Sequence, residues 1–424
     1  MRSIRWLCCF VPLLAASLSL AQTPEGNLEK YRHYKARLHS QFLYYTGDAS
    51  IQASHLPMEL RRTDAEGRIT AYWADGTWWQ GHYVAVLATE YARLRRSHDT
   101  LAADSTLEEL RQALKVYDRL DWSAEACWNG DAALNGFYLR DDVPLEMAGI
   151  FGADIVRSDY QRRCGDTLSV SNGPSQDQAW AAYLAMALVL RLVDGAEAAD
   201  VRTHAAEVVR RMVEGMQYTD EKGKGHWQVK NPVNGLLVQK EGDIQWLKYA
   251  HAKAYEALTG QVADFAKATD AASRSTFKII QNNFLIDKHG HFNWYGVMAL
   301  STVINAKGRQ GDCTYDWLVD RTQAIAKKRP DLQQPILFPH FPLISLLLYP
   351  QQPSKMLPAS LYEDMLNAAP AEGAYRLTKA GEVSQSPAPW HTLSLFCPWH
   401  NTDEGEYNML DYMLLYNLYR LVYP

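Results

Sequence analysis

Six stretches of the chain carry apolar residues on nearly every helical face: 78–96, 176–193, 243–258, 294–305, 336–349 and 406–422. A helix that is apolar all round must be buried all round. Between them run more amphipathic segments, at 27–44, 106–121, 197–217, 262–284, 314–328 and 359–368. In 106–121, Leu107, Leu110, Leu114 and Tyr117 fall on one stripe, and in 197–217 Val201, Ala205, Val208 and Met212 do the same; both spacings are helical. The alternation predicts six hairpins of two helices, with the apolar partners forming an inner ring and the amphipathic ones an outer ring. The segment lengths vary, so no fixed repeat period accounts for the pattern.

The apolar stretches are entered through short loops rich in Trp, Asp, His, Gly and Asn. Two are Ala74-Asp75-Gly76-Thr77-Trp78-Trp79-Gln80-Gly81-His82 and Asn172-Gly173-Pro174-Ser175-Gln176-Asp177-Gln178. Gathered at one mouth of the ring, these loops would supply a binding or catalytic site. Three long irregular segments add to it, at 122–173, 219–241 and 370–405. Loops of that length in a compact chain usually carry function.

Composition narrows the class of function. The 424 residues carry a net charge of −5 and no basic stripe, which speaks against a nucleic-acid partner. Residues 1–21 read as a cleaved export signal: Arg2 and Arg5, then an apolar run, then Ser19-Leu20-Ala21. Cys8 and Cys9 precede the apolar run rather than follow it, so they do not mark a lipid anchor. No later segment is long and apolar enough for a membrane span. The expected location is periplasmic or extracellular, with residues 22–424 as one domain. Cys127, Cys164, Cys313 and Cys397 remain after cleavage. Sequence proximity favours a Cys127–Cys164 bond, although a chain of this size can fold without any.

The helix rhythm, together with Trp78-Trp79-Gln80-Gly81 and Gly173-Pro174-Ser175-Gln176-Asp177-Gln178, resembles the six-hairpin glycosidase superfamily, the (α/α)6 toroids. The resemblance covers nearly all of the mature chain. It implies an all-α toroid with long loops at one face and a carbohydrate site at the barrel mouth. It does not fix the reaction.

Glycoside hydrolysis needs two carboxyl groups, one to protonate the leaving oxygen and one to activate water or attack the sugar. Asp75, Asp177, Asp243, Asp403, Glu404 and Glu406 lie at inner-helix entrances, and Asp131, Asp141 and Asp142 lie in the 122–173 insertion. Helix capping is the default role for each entrance acid: Ser175 and Gln178, or Thr77 and Gln80, have capping-box spacing. A helix N-terminus should depress the pKa of Asp177, which suits a base or nucleophile. A proton donor is expected among aromatic rings, as Asp131 beside Trp128 or Glu406 beside Tyr407. Asp131, Asp177 and Glu406 are therefore the leading catalytic residues.

Substrate contacts are expected from Asp75, His82, Arg140, His226, His391 and His400. Trp78, Trp79, Trp128, Trp227, Trp294, Trp390 and Trp399 could stack on sugar rings. A second reading is β-elimination of an acidic glycan, with His291 and Tyr295 moving the proton and Arg140 or Asn135 neutralising a uronate. A third is a glycan-binding protein without catalysis. Cys397-Pro398-Trp399-His400 has only weak ligand-like spacing, so no metal is expected. The absence of a P-loop, a dinucleotide fingerprint and a Gly-x-Ser-x-Gly elbow leaves no cofactor expected either.

Overall fold

The computed structural model describes residues 24–370 and 406–424, apart from positions 65, 74, 161–163, 165–172, 239–242, 284–290, 329 and 331–333. The expected export signal and the residues Trp390, His391, Cys397, Trp399, His400, Asp403 and Glu404 lie outside the described residues.

The chain is mainly helical. The odd-numbered helices are α1 (Pro24–Arg37), α3 (Thr100–Trp122), α5 (Ala199–Gly215), α7 (Ala271–Asn283), α9 (Thr314–Lys328) and α11 (Ala359–Ala368). The even-numbered ones are α2 (Gly76–Arg96), α4 (Gln176–Leu192), α6 (Asp243–Thr259), α8 (His291–Val303), α10 (His340–Leu348) and α12 (Leu410–Val422). The odd set matches the amphipathic segments and the even set the apolar ones. Each even helix packs on the next, α2 on α4 through to α10 on α12, and α12 packs back on α2. The odd helices lie against them: α1 and α11 on α12, α3 on α2, α5 on α4 and α6, α7 on α6 and α8, and α9 on α10 and α8.

Close backbone approach explains two of the contacts. A Cβ on Gly81 of α2 would stand 2.7 Å from the carbonyl carbon of Ala181 in α4, and one on Gly296 of α8 would enter the Trp180 ring. Trp180 is almost fully buried, and α4 also reaches α8 and α10. Side chains thus fill the space between the even helices. One continuous core joins residues from Tyr31 to Leu418.

Several boundaries depart from the hydrophobic pattern. α10 starts at His340 rather than 336 because Phe338 adopts a left-handed φ of 56° just before Pro339. The apolar stretch expected from 406 begins as a strand instead, and α12 starts only after Met409, whose φ is 60°. α7 starts at Ala271, after a turn in which Lys267 has φ 57°.

A small sheet was not legible in the pattern. Its order is β3 (Ile155–Arg157), β2 (Ile69–Tyr72), β1 (Leu60–Thr63) and β6 (Glu406–Tyr407). β1 is antiparallel to β2 and β6, with Leu60 opposite Tyr72 and Tyr407, while β2 and β3 run parallel with Thr70 opposite Ile155. The sheet thereby binds the approaches to α2 and α12 to the 122–173 insertion. A separate hairpin pairs β4 (Gln217–Thr219) with β5 (Gly225–Trp227). Cys127 and Cys164 form a disulfide across the insertion, with Cα atoms 4.9 Å apart, and Cys313 is a free thiol. Among the described residues no helix is long and apolar enough to cross a membrane.

Candidate active site at the entrances of α2 and α4

The chain reaches α2 from β2, where Trp73 N–H donates to the Arg157 carbonyl of β3 (2.8 Å). Asp75 then occupies the N-cap position of α2, but its side chain caps nothing. The first turn finds its acceptor elsewhere: Thr77 N–H donates to the Arg140 carbonyl (2.9 Å). Gly76 allows this approach, because a Cβ there would lie 2.7 Å from the same oxygen. The Asp75 carboxylate is therefore released from capping.

It is held instead by side chains from distant segments. Asp75 Oδ1 accepts from Arg140 Nη1 (3.2 Å) and from Gln178 Nε2 (3.1 Å). Gln178 Oε1 in turn accepts from Thr77 Oγ1 (2.6 Å). The two helix entrances are thus stitched by a Thr–Gln–Asp–Arg chain of hydrogen bonds. Ser175, the N-cap of α4, donates its hydroxyl to Asp177 Oδ1 and does not cap the helix. Neither capping box expected from the sequence forms, and Gln80 donates to the Ala113 carbonyl in α3 (2.7 Å).

Arg140 is the hub. Its Nε donates to the Gly173 carbonyl (3.3 Å), and its Nη1 stands 3.7 Å from Asp159 Oδ2. Burial works against its charge, but Asp75, Asp177, Asp159 and Asp141 outweigh it and raise the pKa of Arg140. The Asp75 and Arg140 side chains remain 30% and 25% exposed, so the site opens to solvent, while Asp159 at 2% closes it from behind. Asp141 lies deeper. Burial pushes its carboxyl up to about 8, against the backbone amides of Asp159, Val143 and Tyr160 that donate to it.

Asp177 behaves contrary to the helix-terminus expectation. Burial first, and then the charge of Asp75, raise its pKa, with Arg140 and the Ser175 hydroxyl opposing. The field of one helix end is too small to offset lost hydration and a neighbouring anion. Asp177 therefore has the character of a proton donor rather than that of a base.

The other two acids proposed as catalytic do not join this group. Asp131 is exposed in its loop, whereas its neighbour Trp128 is buried against Phe137 (ring centroids 5.5 Å), so Asp131 is not sheltered by aromatic rings. Glu406 lies on β6 and forms an ion pair with Arg37 at the end of α1 (2.5 Å). Asp142 pairs with Arg119 (2.7 Å).

Beside the entrances, Trp78 in the first turn of α2 packs on Tyr295 of α8 (4.4 Å between centroids) and on His82 (5.0 Å). His82 Nδ1 faces the Trp78 carbonyl (2.9 Å) and Nε2 faces the Tyr295 hydroxyl (3.0 Å). Burial holds the His82 imidazole down to about 3, so it is neutral. A carbonyl only accepts, which puts the proton on Nδ1 and makes Nε2 the acceptor of the tyrosine O–H. Tyr295 is thus bonded to His82. The His291 side chain lies outside the described residues.

The tryptophans Trp78, Trp79, Trp128, Trp227 and Trp294 are all buried. They build the walls of the core and present no open platform to a sugar, since indoles supply more apolar area than almost any other side chain. His226 lies on β5, bonded to Asp220 (2.8 Å) and stacked on Tyr218. Among the described residues no group of three or more His, Cys, Asp or Glu side chains could hold a metal.

Sequence reasoning missed Gln178, Thr77 and Ser175 as site residues, because local spacing assigned all three to capping boxes. It missed Asp159 altogether. Comparison of the chain with family models, curated proteins and solved structures gave no match.

Proposed function

We propose that the chain is an exported carbohydrate-active enzyme, a glycoside hydrolase whose even and odd helices close as an (α/α)6 toroid of the six-hairpin glycosidase type. The observation that carries this reading is the pair Asp75 and Asp177 at neighbouring helix entrances, joined through Arg140 and placed in unlike surroundings. Two acids whose environments differ are the requirement for paired acid and base work. The closed sequence of contacts among the even helices supports the toroid. The Arg2–Arg5 start, the apolar run behind it and the Cys127–Cys164 bond support export to an oxidising compartment.

In this mechanism Asp177 delivers its proton to the glycosidic oxygen as the bond to the anomeric carbon breaks. Asp75, oriented by Arg140 and Gln178, takes a proton from the attacking water. One water is added across the bond, and the two acids exchange protonation states before solvent resets them. This revises the acid assignment made from sequence: Asp75 replaces Asp131 and Glu406, and Asp177 becomes the donor.

The test is a panel of neutral and acidic oligosaccharides, with products resolved by mass. Hydrolysis yields fragments whose combined mass exceeds the parent by one water. Asp75→Asn and Asp177→Asn should each lower kcat by about 10²–10⁴, the usual size of a general acid or base contribution, with the circular dichroism of the folded chain retained. Unchanged turnover in both variants would overturn the assignment. Fragments without the added water, carrying an unsaturated uronate, would identify elimination; affinity with no product would identify a binding protein.

A further inference from the structure

A second cavity, of about 700 Å³, opens between the C-terminal part of α6, helix α7 and the loop that follows α8. Its wall carries Lys253, Arg274, Lys278, Lys307 and Arg309, against the single carboxylate of Glu256. That excess stands out in a chain whose net charge is −5. Lys253 is paired with Glu256. Lys278 donates to the Gln281 side chain (2.8 Å) and to the Lys307 carbonyl (2.6 Å), both neutral acceptors that leave its charge uncompensated. Arg274, Lys307 and Arg309 are exposed, and no ion pair among the described residues engages them.

Cations near helix C-termini often serve only to answer the helix dipole. Lys278 is not in the last turn of α7, and the Lys307 carbonyl it meets lies beyond the end of α8. Nor does that explanation fit Arg274, which stands in the first turn of α7, where a positive charge is unfavourable. Burial first, and then the Arg274 charge one turn away on the same helix face, lower the proton affinity of Lys278. Arg274, Lys278, Lys307 and Arg309 thus line one cavity with no ion-pair partner among the described residues. Tyr249, partly exposed on the cavity wall, packs at 5.9 Å on the fully buried Phe277 behind it. Gly308 and Gly311 shape the rim, where Gly311, at φ 84°, closes a turn through its N–H to the Gly308 carbonyl (3.2 Å) and carries Arg309 outward.

We propose that this cavity binds a small molecule bearing at least two phosphate or sulfate charges, with its uncharged part against the partly exposed Tyr249 ring. The volume lies within the range of small-molecule sites, and converging cations in a concave wall focus the field on an anion. Arginine planes suit the oxygens of either group in a fork geometry. The site is independent of the hydrolase reading. It uses α6, α7 and the loop after α8, whereas Asp75 and Asp177 stand at the N-terminal ends of α2 and α4.

The experiment is calorimetric titration of the full mature chain with inorganic pyrophosphate, and separately with a sulfated disaccharide, at low salt and again with added sodium chloride. At least one probe should bind saturably with one site per chain and weaken as salt rises. The variant Arg274→Gln/Lys307→Gln/Arg309→Gln should weaken binding about tenfold or more, since charge-assisted contacts are the strong ones. Its residues are exposed, so its melting temperature should match that of the native chain. A control pair on the β4–β5 turn, Lys222→Gln/Lys224→Gln, should bind as the native chain does. Tighter binding of the disaccharide would assign a sulfated sugar, and tighter binding of pyrophosphate a phosphate compound. Absence of saturable binding by both probes, or equal binding by the triple variant, would overturn the proposal.

Discussion

Glu109 offers the sharpest quantitative test of how the outer helices are held to the inner ones. It projects from α3 into a buried charged group built by three helices. Its Oε1 accepts from the Tyr83 hydroxyl of α2 (2.5 Å) and meets His39 Nε2 beyond α1 (2.8 Å), while Oε2 lies 3.3 Å from Lys35 Nζ. Lys35 also pairs with Glu90 (2.6 Å). The Glu109 side chain is 5% exposed. Burial alone would raise its pKa, but His39, Lys35 and Tyr83 outweigh burial and bring it from 4.5 down to about 2. A depressed carboxyl contributes stability that is fully present above its unfolded pKa and is lost as pH falls through the folded one. The window here therefore runs from about 4.5 to about 2. That lowering corresponds to about 3 kcal/mol at pH 6. At pH 3 about 1.5 kcal/mol of that remains, because the unfolded chain by then binds a proton at Glu109 while most of the folded chain still holds the carboxylate ionised. Glu109→Gln keeps the shape and removes the charge. Urea unfolding of both proteins at pH 6 and pH 3 gives two differences in stability, and contributions from acids far from the site cancel in each. The difference should shrink by about half at the lower pH. Equal differences at both pH values would refute the claim that the network acts through the ionised carboxylate.

Gly81→Ala forces a Cβ to 2.7 Å from the Ala181 backbone of α4, which cannot step aside as a flexible side chain would; a loss of about 1–3 kcal/mol is expected, read as a lower denaturation midpoint. Cys127→Ser/Cys164→Ser opens a loop of 37 residues, for which chain entropy gives a loss of about 4 kcal/mol, and a reducing agent should produce the same shift in the native protein but none in the variant. Asp141→Asn replaces one acceptor oxygen by an N–H₂ group, so either the Asp159 amide or the Val143 and Tyr160 amides lose their acceptor; a loss of about 1–3 kcal/mol is expected by thermal unfolding, and wild-type stability would contradict the inward placement of this carboxyl.

How much of this was legible in the sequence follows from the range over which each interaction acts. α4 was readable because its apolar residues run without interruption from Ala179 to Val189, and burial on all sides is the one outcome such a run permits. The four-stranded sheet was not, since strands of two to four residues are too short for an alternating pattern to register. The acids failed for a related reason. Ser175 and Gln178 have the spacing of a capping box, and local spacing is all that a linear reading can weigh. In the fold Gln178 instead spans to Thr77 and Asp75, partners 101 and 103 positions away. It is free to do so partly because Arg140, from a third segment, gives its carbonyl to the first turn of α2 and relieves Asp75 of capping.

The sign of the Asp177 shift was misread on the same ground. A helix N-terminus is visible in sequence, but the Asp75 charge and the wall that dries the site come from elsewhere in the chain. This has a consequence for the chemistry that can be measured. Asp75→Asn removes the neighbouring charge that raises the Asp177 pKa, so that pKa should fall and the carboxyl should titrate at lower pH. Carbon-13 labelling of the aspartate carboxyls would follow the Asp177 resonance through the titration in both proteins, without any need for a substrate. An unmoved resonance would mean that burial alone sets the proton affinity of Asp177, and the paired-acid argument for hydrolysis would lose its physical basis.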